Sequence, residues 1–270
     1  MKKLFLFTLV FFSSQIIMAQ KMEEKVVRVI YEFKYQPNKQ DTLKRTEDMV
    51  LFRSKSKSIF QSYFMYQKDS LLFNEEKLGN SPMNVYGKLK FIPNFKHNYV
   101  IEKKFDTNKY EITDKIFSDK YRYAEDITKF EWKPTNKTLK IGNLNCRSAT
   151  TKFAGRDYIA WYTEDIPIPD GPYKFFGLPG LIVKISDSQN QFDFSLKSVK
   201  EIPEIVMIEG NSNKKVIETT RDKFLQAKKT FQENAINDLK NRGITFEDES
   251  EVNKFLKEKF KKDNNPIEIE

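Results

Sequence analysis

The stretch "VRVIYEFKY", Val27 to Tyr35, decides how the chain is read. Val27, Val29, Tyr31, Phe33 and Tyr35 alternate with Arg28, Ile30, Glu32 and Lys34, the period of two that turns one strand face to a core and the other to solvent. Similar reads recur at 49–53, 59–67, 99–105, 120–123, 129–132, 146–153, 158–163, 181–186, 192–199 and 206–209. Such a succession, joined by short polar turns and without helical patterns between, predicts a mainly β fold. The expected form is an antiparallel curved sheet, half-barrel or barrel-like, capped by one or two amphipathic α-helices.

Near the C-terminus the period changes. Phe224, Leu225, Phe231, Ala235, Ile236 and Leu239 repeat near 3.6 until Gly243, with Thr219 and Asp222 as the expected cap pair. A second helix is expected from Ser250 to Lys261, acidic at its start and basic at its end, as the helix dipole prefers. The residues beyond it, ending in Glu268-Ile269-Glu270, read as a frayed end. The expected organisation is a signal peptide over 1–19 and one β-rich domain over 20–270. Within it, 20–210 forms the sheet region and 217–262 the helical region, divided at Asn211 to Lys215.

The leader reading rests on Lys2 and Lys3, the apolar run Leu4 to Phe12 and the site Ile17-Met18-Ala19. The run is broken at Ser13, Ser14 and Gln15, short of the roughly 18 apolar residues a spanning helix needs. Cleavage before Gln20 removes two of 47 basic residues and none of 38 acids, leaving (47 − 2) − 38 = +7. The lysines are interleaved with acids and form no compact stripe, which argues against nucleic acid and leaves at most a peripheral attraction to anionic lipid. Localisation is expected in the periplasm or cell envelope, the mature protein being soluble. Its partner is expected to be an envelope ligand or an outer-membrane protein.

With one cysteine, Cys146, and one histidine, His97, a disulfide within the chain and a multi-histidine or multi-thiolate zinc site are excluded. Cys146 is expected in the core. No cofactor, metal or catalytic residue is assigned. Ser54-Lys55-Ser56-Lys57 has the S-x-x-K spacing, which also suits a solvated turn, and Glu164-Asp165 is a carboxylate pair of unfixed separation. Asp41-Thr42-Leu43 and Asp69-Ser70-Leu71 mark Thr42 and Ser70 as candidate O-glycosylation sites.

Rigid and oily residues concentrate in "DGPYKFFGLPGLIVKIS", Asp170 to Ser186. Leu178-Pro179-Gly180-Leu181 suits a type II turn with positive φ at Gly180. Upstream, Pro167, Pro169 and Pro172 stiffen the approach. The corner reads as a plug against the sheet or at a barrel mouth. Gly177, Leu178, Pro179, Gly180, Leu181 and Ile182 are its structural motif, and Trp161, Tyr162, Tyr173, Phe175 and Phe176 are candidate ligand-binding aromatics, Tyr173 and Phe175 at a rim.

This corner carries a resemblance. Gly177 to Ile182 spells the signature of the GLPGLI family, and the block from Asn145 to Ile185 resembles that family's core: Cys146 and Ala149, Gly155-Arg156, Trp161-Tyr162-Thr163, Ile166-Pro167 and Gly171-Pro172. The resemblance implies an exported envelope protein of Bacteroidetes and hands over no catalytic residues. Two classes of function stay open. One is a binding or accessory protein for an apolar ligand, peptide or envelope component; the other is a hydrolase using carboxylate or Ser-Lys chemistry. A non-catalytic scaffold of an outer-membrane machine is the third possibility.

Overall fold

The computed structural model describes residues 26–80, 82–202 and 215–269. The leader over 1–19, the read at 206–209 and most of the expected boundary at 211–215 lie outside them. Among the described residues twelve strands form one mainly antiparallel sheet that does not close: its order is β12-β6-β5-β4-β3-β2-β1-β11-β10-β9-β8-β7. The first half is a meander of β1 (Val26–Tyr35), β2 (Arg45–Arg53), β3 (Lys57–Ser62), β4 (Val100–Lys104), β5 (Lys109–Ile116) and β6 (Asp119–Asp126). The second is a meander of β7 (Lys133–Ile141), β8 (Leu144–Phe153), β9 (Arg156–Thr163), β10 (Leu181–Asp187) and β11 (Phe192–Ile202). They join where β1 pairs with β11, Val26 opposite Ile202 and Tyr35 opposite Phe192. The short β12 (Val216–Glu218) adds to β6 in parallel.

The alternation in β1 sorts the two faces. Val29, Tyr31, Phe33 and Tyr35 enter the main core, on the concave side, with Met49, Leu51, Phe60, Ile101 and Ile112 from the neighbouring strands. On the convex side Val26, Ile30, Val50 and Phe52 form a second cluster covered by Tyr63 and Tyr66. Phe33 stacks on Phe194 with ring centroids 4.1 Å apart.

Several sequence readings give way. The run 59–67 is strand only to Ser62, whose side chain caps α1 (Tyr63–Lys77), followed by α2 (Pro82–Leu89). A 15-residue helix thus interrupts the meander, its aromatic residues having imitated a strand. Residues 129–132 are a connection: Phe130 and Trp132 pack across the end of the concave face against Phe175 and Phe176. α3 (Arg221–Asn241) is capped by Thr220, not Thr219, and α4 (Glu249–Lys262) by Asp248. Gly243, at φ +80, follows the end of α3. α3 lays Phe224 on Tyr121 and Tyr123 of β6, and α4 packs on α3 through Phe260 against Phe231.

Candidate functional site

The glycine-proline corner crosses the concave face and is nailed to it from both meanders. Three successive tight turns have proline at their centre: the amides of Ile168, Asp170 and Gly180 donate to the carbonyls of Ile166, Ile168 and Leu178 at 2.7, 2.7 and 2.8 Å. Bonds from i+2 to i define inverse γ-turns, whose central φ matches the angle a proline ring imposes. The expected type II turn is therefore absent at Pro179-Gly180, because the Leu181 amide that would close it donates to Ile166 instead. The positive φ of Gly180 is present, at +127°, and a Cβ there would lie 2.0 Å from the Thr163 carbonyl oxygen. Only glycine fits so close to a strand end.

Below the corner lies a buried ion pair. Lys103 of β4 shares the inward parity of Ile101 and Phe105, which brings its ammonium under the corner with no exposure. It donates to Asp170 Oδ1 at 2.5 Å, to the Gly171 carbonyl at 2.7 Å and to the Phe175 carbonyl at 3.1 Å. All three of its N–H groups are thereby engaged. Burial pulls its pKa down against the opposing pull of Asp170. Arg53 Nε stands 3.7 Å from Asp170 Oδ2 and its guanidinium lies over Phe105. Tyr31 donates to the Ile182 carbonyl, Tyr110 to that of Lys174 and Trp132 to that of Phe176.

The aromatic residues of the corner sit differently from the rim expected of them. Phe175 and Tyr173 are buried, Phe175 among Phe130, Phe153 and Tyr158. Tyr173 takes φ +56°, uncommon for a residue with a bulky side chain. That conformation points its ring into the core, where burial raises its pKa well above the ordinary value and its hydroxyl donates to Glu268 at 2.6 Å. Phe176 is half-buried against Phe105 and Phe130. Trp161 packs partly exposed on the core edge, and Tyr162 lines an open pocket of about 470 Å³ with Cys146, Arg147, Glu164 and Asp165. The five aromatics are thus not one surface.

The C-terminal tail, read as frayed, is the second element on this face. Arg156 of β9 is the clasp: Nη2 donates to Asn265 Oδ1 at 2.7 Å and to the Pro266 carbonyl at 2.9 Å, and Nε donates to the Ile267 carbonyl at 3.2 Å. Its Nη1 reaches Gln191 at 2.9 Å and Asp187 at 3.3 Å, and the guanidinium lies over Phe192. Ile267 packs on the core and the Ile269 amide donates to Ala154. Glu268 accepts from Lys174 at 2.7 Å and from Arg221 at 3.1 Å, both of which also meet Glu125. Burial pushes the Glu268 carboxyl up, but Lys174, Tyr173 and Arg221 outweigh it and hold the pKa below the ordinary value. Beside the clasp lies an open pocket of about 370 Å³ lined by Gly155, Arg156, Asp187, Gln191 and Ile269 among others. Sequence reasoning missed this clasp, whose only signal was Arg156 standing inward on a strand of apolar parity.

His97 bonds to Glu47 Oε2 through Nδ1 at 2.8 Å, among the rings of Phe33, Tyr35 and Tyr99. Cys146, buried on β8, has its thiol 3.6 Å from the Leu144 carbonyl. Each of the two thus has its own partner. Ser54 Oγ donates to the Lys57 carbonyl while the Lys57 ammonium pairs with Glu102 at 2.9 Å, the arrangement of a turn between β2 and β3. Glu164 pairs with Arg147 and Asp165 accepts the Asn145 amide. Among the described residues no group of three or more His, Cys, Asp or Glu gathers to hold a metal. Thr42 is exposed in the β1–β2 loop, whereas Ser70 is half-buried in α1 with Tyr66 as partner.

An open sheet plugged by its own corner defines the class: a mainly β protein with its concave face filled from within. Residues 154–184, from Ala154 through the corner, match the model of the Porph_ging family, described as a protein of unknown function, and this match fits the GLPGLI-type resemblance of the sequence. None of the curated proteins matches the chain. Among solved structures, PNGF-II in its C2 and P21 crystal forms superposes with a TM-score of 0.53 at 16% identity, over 75% of this chain. The match spans 32% and 33% of those chains, about a third of their length, and the likeness is one of fold alone. An outer membrane lipoprotein-sorting protein domain from Vibrio parahaemolyticus aligns over 72% of this chain and 92% of its own, at 8% identity and a TM-score of 0.24, too low to carry an argument.

Proposed function

We propose that this is an exported envelope accessory protein that clasps a polypeptide segment on the concave side of its sheet. One observation carries the reading: Arg156 donates to two successive main-chain carbonyls and an asparagine side chain of residues 265–267, while Tyr173, Lys174 and Arg221 receive the carboxylate of Glu268. Main-chain carbonyls held by a buried guanidinium, with one acidic side chain in a basic socket, form the chemistry of peptide capture. The segment captured in this structure is the chain's own tail. The GLPGLI-type block and the leader of the sequence support the envelope as the setting.

The apolar-ligand version has less support, since Tyr31, Phe33, Phe175 and Phe194 already fill the interior. The hydrolase version has less again, because Ser54, Lys57, Glu164 and Asp165 all engage in turn or surface contacts. The test is a labelled peptide with the sequence of Asp263 to Glu270 titrated into a chain ending at Lys262. Saturable binding is expected, lost with Arg156→Ala and weakened when the peptide carries Glu268→Gln. Absence of saturable binding to a shortened chain that still melts cooperatively would sink the proposal.

A further inference from the structure

The helical insertion between β3 and β4 leaves apolar residues uncovered. α1 lays Tyr63 and Tyr66 on the convex cluster, and its end is locked to α2 through Glu75, which accepts from Lys88 at 2.6 Å and from Asn80 at 2.9 Å. Leu78 at the end of α1, Met83 and Tyr86 in α2 and Phe91 just after it are exposed, at 70%, 78%, 71% and 78%. These are four of the twelve exposed large apolar residues among the described residues, and they fall within fourteen positions. Scattered exposed apolar residues are ordinary, but a cluster on one short hairpin marks a surface that meets something.

Charge says what that is. From Lys77 to Ile101 the chain carries no aspartate or glutamate, although acids make up 38 of its 270 residues, and of its four lysines Lys88 pairs with Glu75 and Lys96 with Asp263, which leaves Lys77 and Lys90 to the hairpin surface. Lys90 lies over the Phe91 ring, basic and aromatic groups side by side. Of the acids just upstream, Glu75 is taken up by Lys88 and Asn80, and Glu76 stays exposed. A short helix with exposed Met, Tyr and a neighbouring Phe, set among lysines, has the make-up of an element that lies in the headgroup layer of an anionic bilayer. Among the described residues no helix is long and apolar enough to cross a membrane, and α2 has eight residues.

We propose that the α1–α2 hairpin docks the protein peripherally on anionic phospholipid, Met83, Tyr86 and Phe91 entering the interface while Lys77 and Lys90 meet the phosphates. α1 covers the cluster on the sheet face opposite the main core, on which the tail packs, and the proposal does not depend on the clasp. The test is co-sedimentation of the full chain with vesicles of phosphatidylcholine alone and of an equal mixture with phosphatidylglycerol. Pelleting with the mixed vesicles only, falling as salt rises, is expected. Met83→Glu with Phe91→Glu, and separately Lys77→Glu with Lys90→Glu, should each lower the bound fraction by about tenfold. All four positions are exposed, so the melting temperature should hold and a loss of binding could not be blamed on unfolding. Equal binding to both vesicle types, or full binding by either pair variant, would overturn the proposal. So would a self-associated wild-type chain that Met83→Glu converts to monomer, which would make the patch a protein interface.

Discussion

Two segments fill the same concave face by opposite means. The corner from Ile166 to Ile182 is fixed through its backbone: prolines set the turns, Gly180 allows a contact no Cβ could make, and the fully buried Lys103 and Asp170 hold it from below. The tail from Asn264 to Ile269 is fixed mainly through side chains reaching in from elsewhere, Arg156, Tyr173, Lys174 and Arg221, and the cations among them also hold Asp187 and Glu125. The difference teaches which of the two can leave. Removing the corner would strand a buried ammonium, whereas removing the tail would expose charges that water can solvate.

The sharpest way to break this comparison is at the buried pair. Lys103→Met takes away the ammonium bonded to Asp170 and leaves the buried carboxylate only Arg53 at 3.7 Å as a cation; breaking a buried pair costs about 3–5 kcal/mol, so a global loss of that order in denaturant melts is expected. Gly180→Ala should rank next, at roughly 3 kcal/mol, because its methyl would meet the Thr163 carbonyl in a backbone region closed to most side chains. If either variant melts like the wild type, the corner is not the fixed partner of the two.

Arg156→Ala should cost about 1.5–3 kcal/mol and, unlike the corner variants, should act locally. Hydrogen exchange is expected to quicken at the Ile269 amide while the Leu181 amide stays protected; equal loss at both would merge the two segments into one unit. The smallest effect is that of acid on the tail. Glu268 has a folded pKa below its ordinary 4.5, so its contribution is present above that value and fades as pH falls through the folded value. Protection of the Ile269 amide should follow that course in the wild type and be flat in Glu268→Gln, with a stability difference near neutral pH of about 1 kcal/mol or less.

How much of this was legible follows the same division. The strand period of β1 and the 3.6 period of α3 report local burial, so both could be read from residues alone. The corner was legible as rigid because proline and glycine act on their own backbone, yet its turn type was not: the Leu181 amide chose a partner fifteen residues away, at Ile166. Lys103 left a trace, a lysine in phase with Tyr99, Ile101 and Phe105, but the phase cannot name Asp170. The clasp was least legible, since Arg156 and Pro266 meet only after the sheet has curved. α1 was misread because Tyr63, Phe64 and Tyr66 suit a strand as well as a helix face.

The placement of β1 has a consequence for how the molecule comes into being. The first strand of the described chain ends up in the middle of the sheet, and the strand that covers its second edge, β11, follows more than a hundred and fifty residues later. While the polypeptide is being made, β1 to β6 can pair in order, by short hairpins except where the α1–α2 insertion separates β3 from β4, but the open flank of β1 waits for nearly all of the rest. Contacts so distant in sequence form late and slowly, and an unpaired apolar strand edge invites the wrong neighbour in the meantime. The unfinished half-sheet is therefore the stage at which this polypeptide is most open to a wrong pairing.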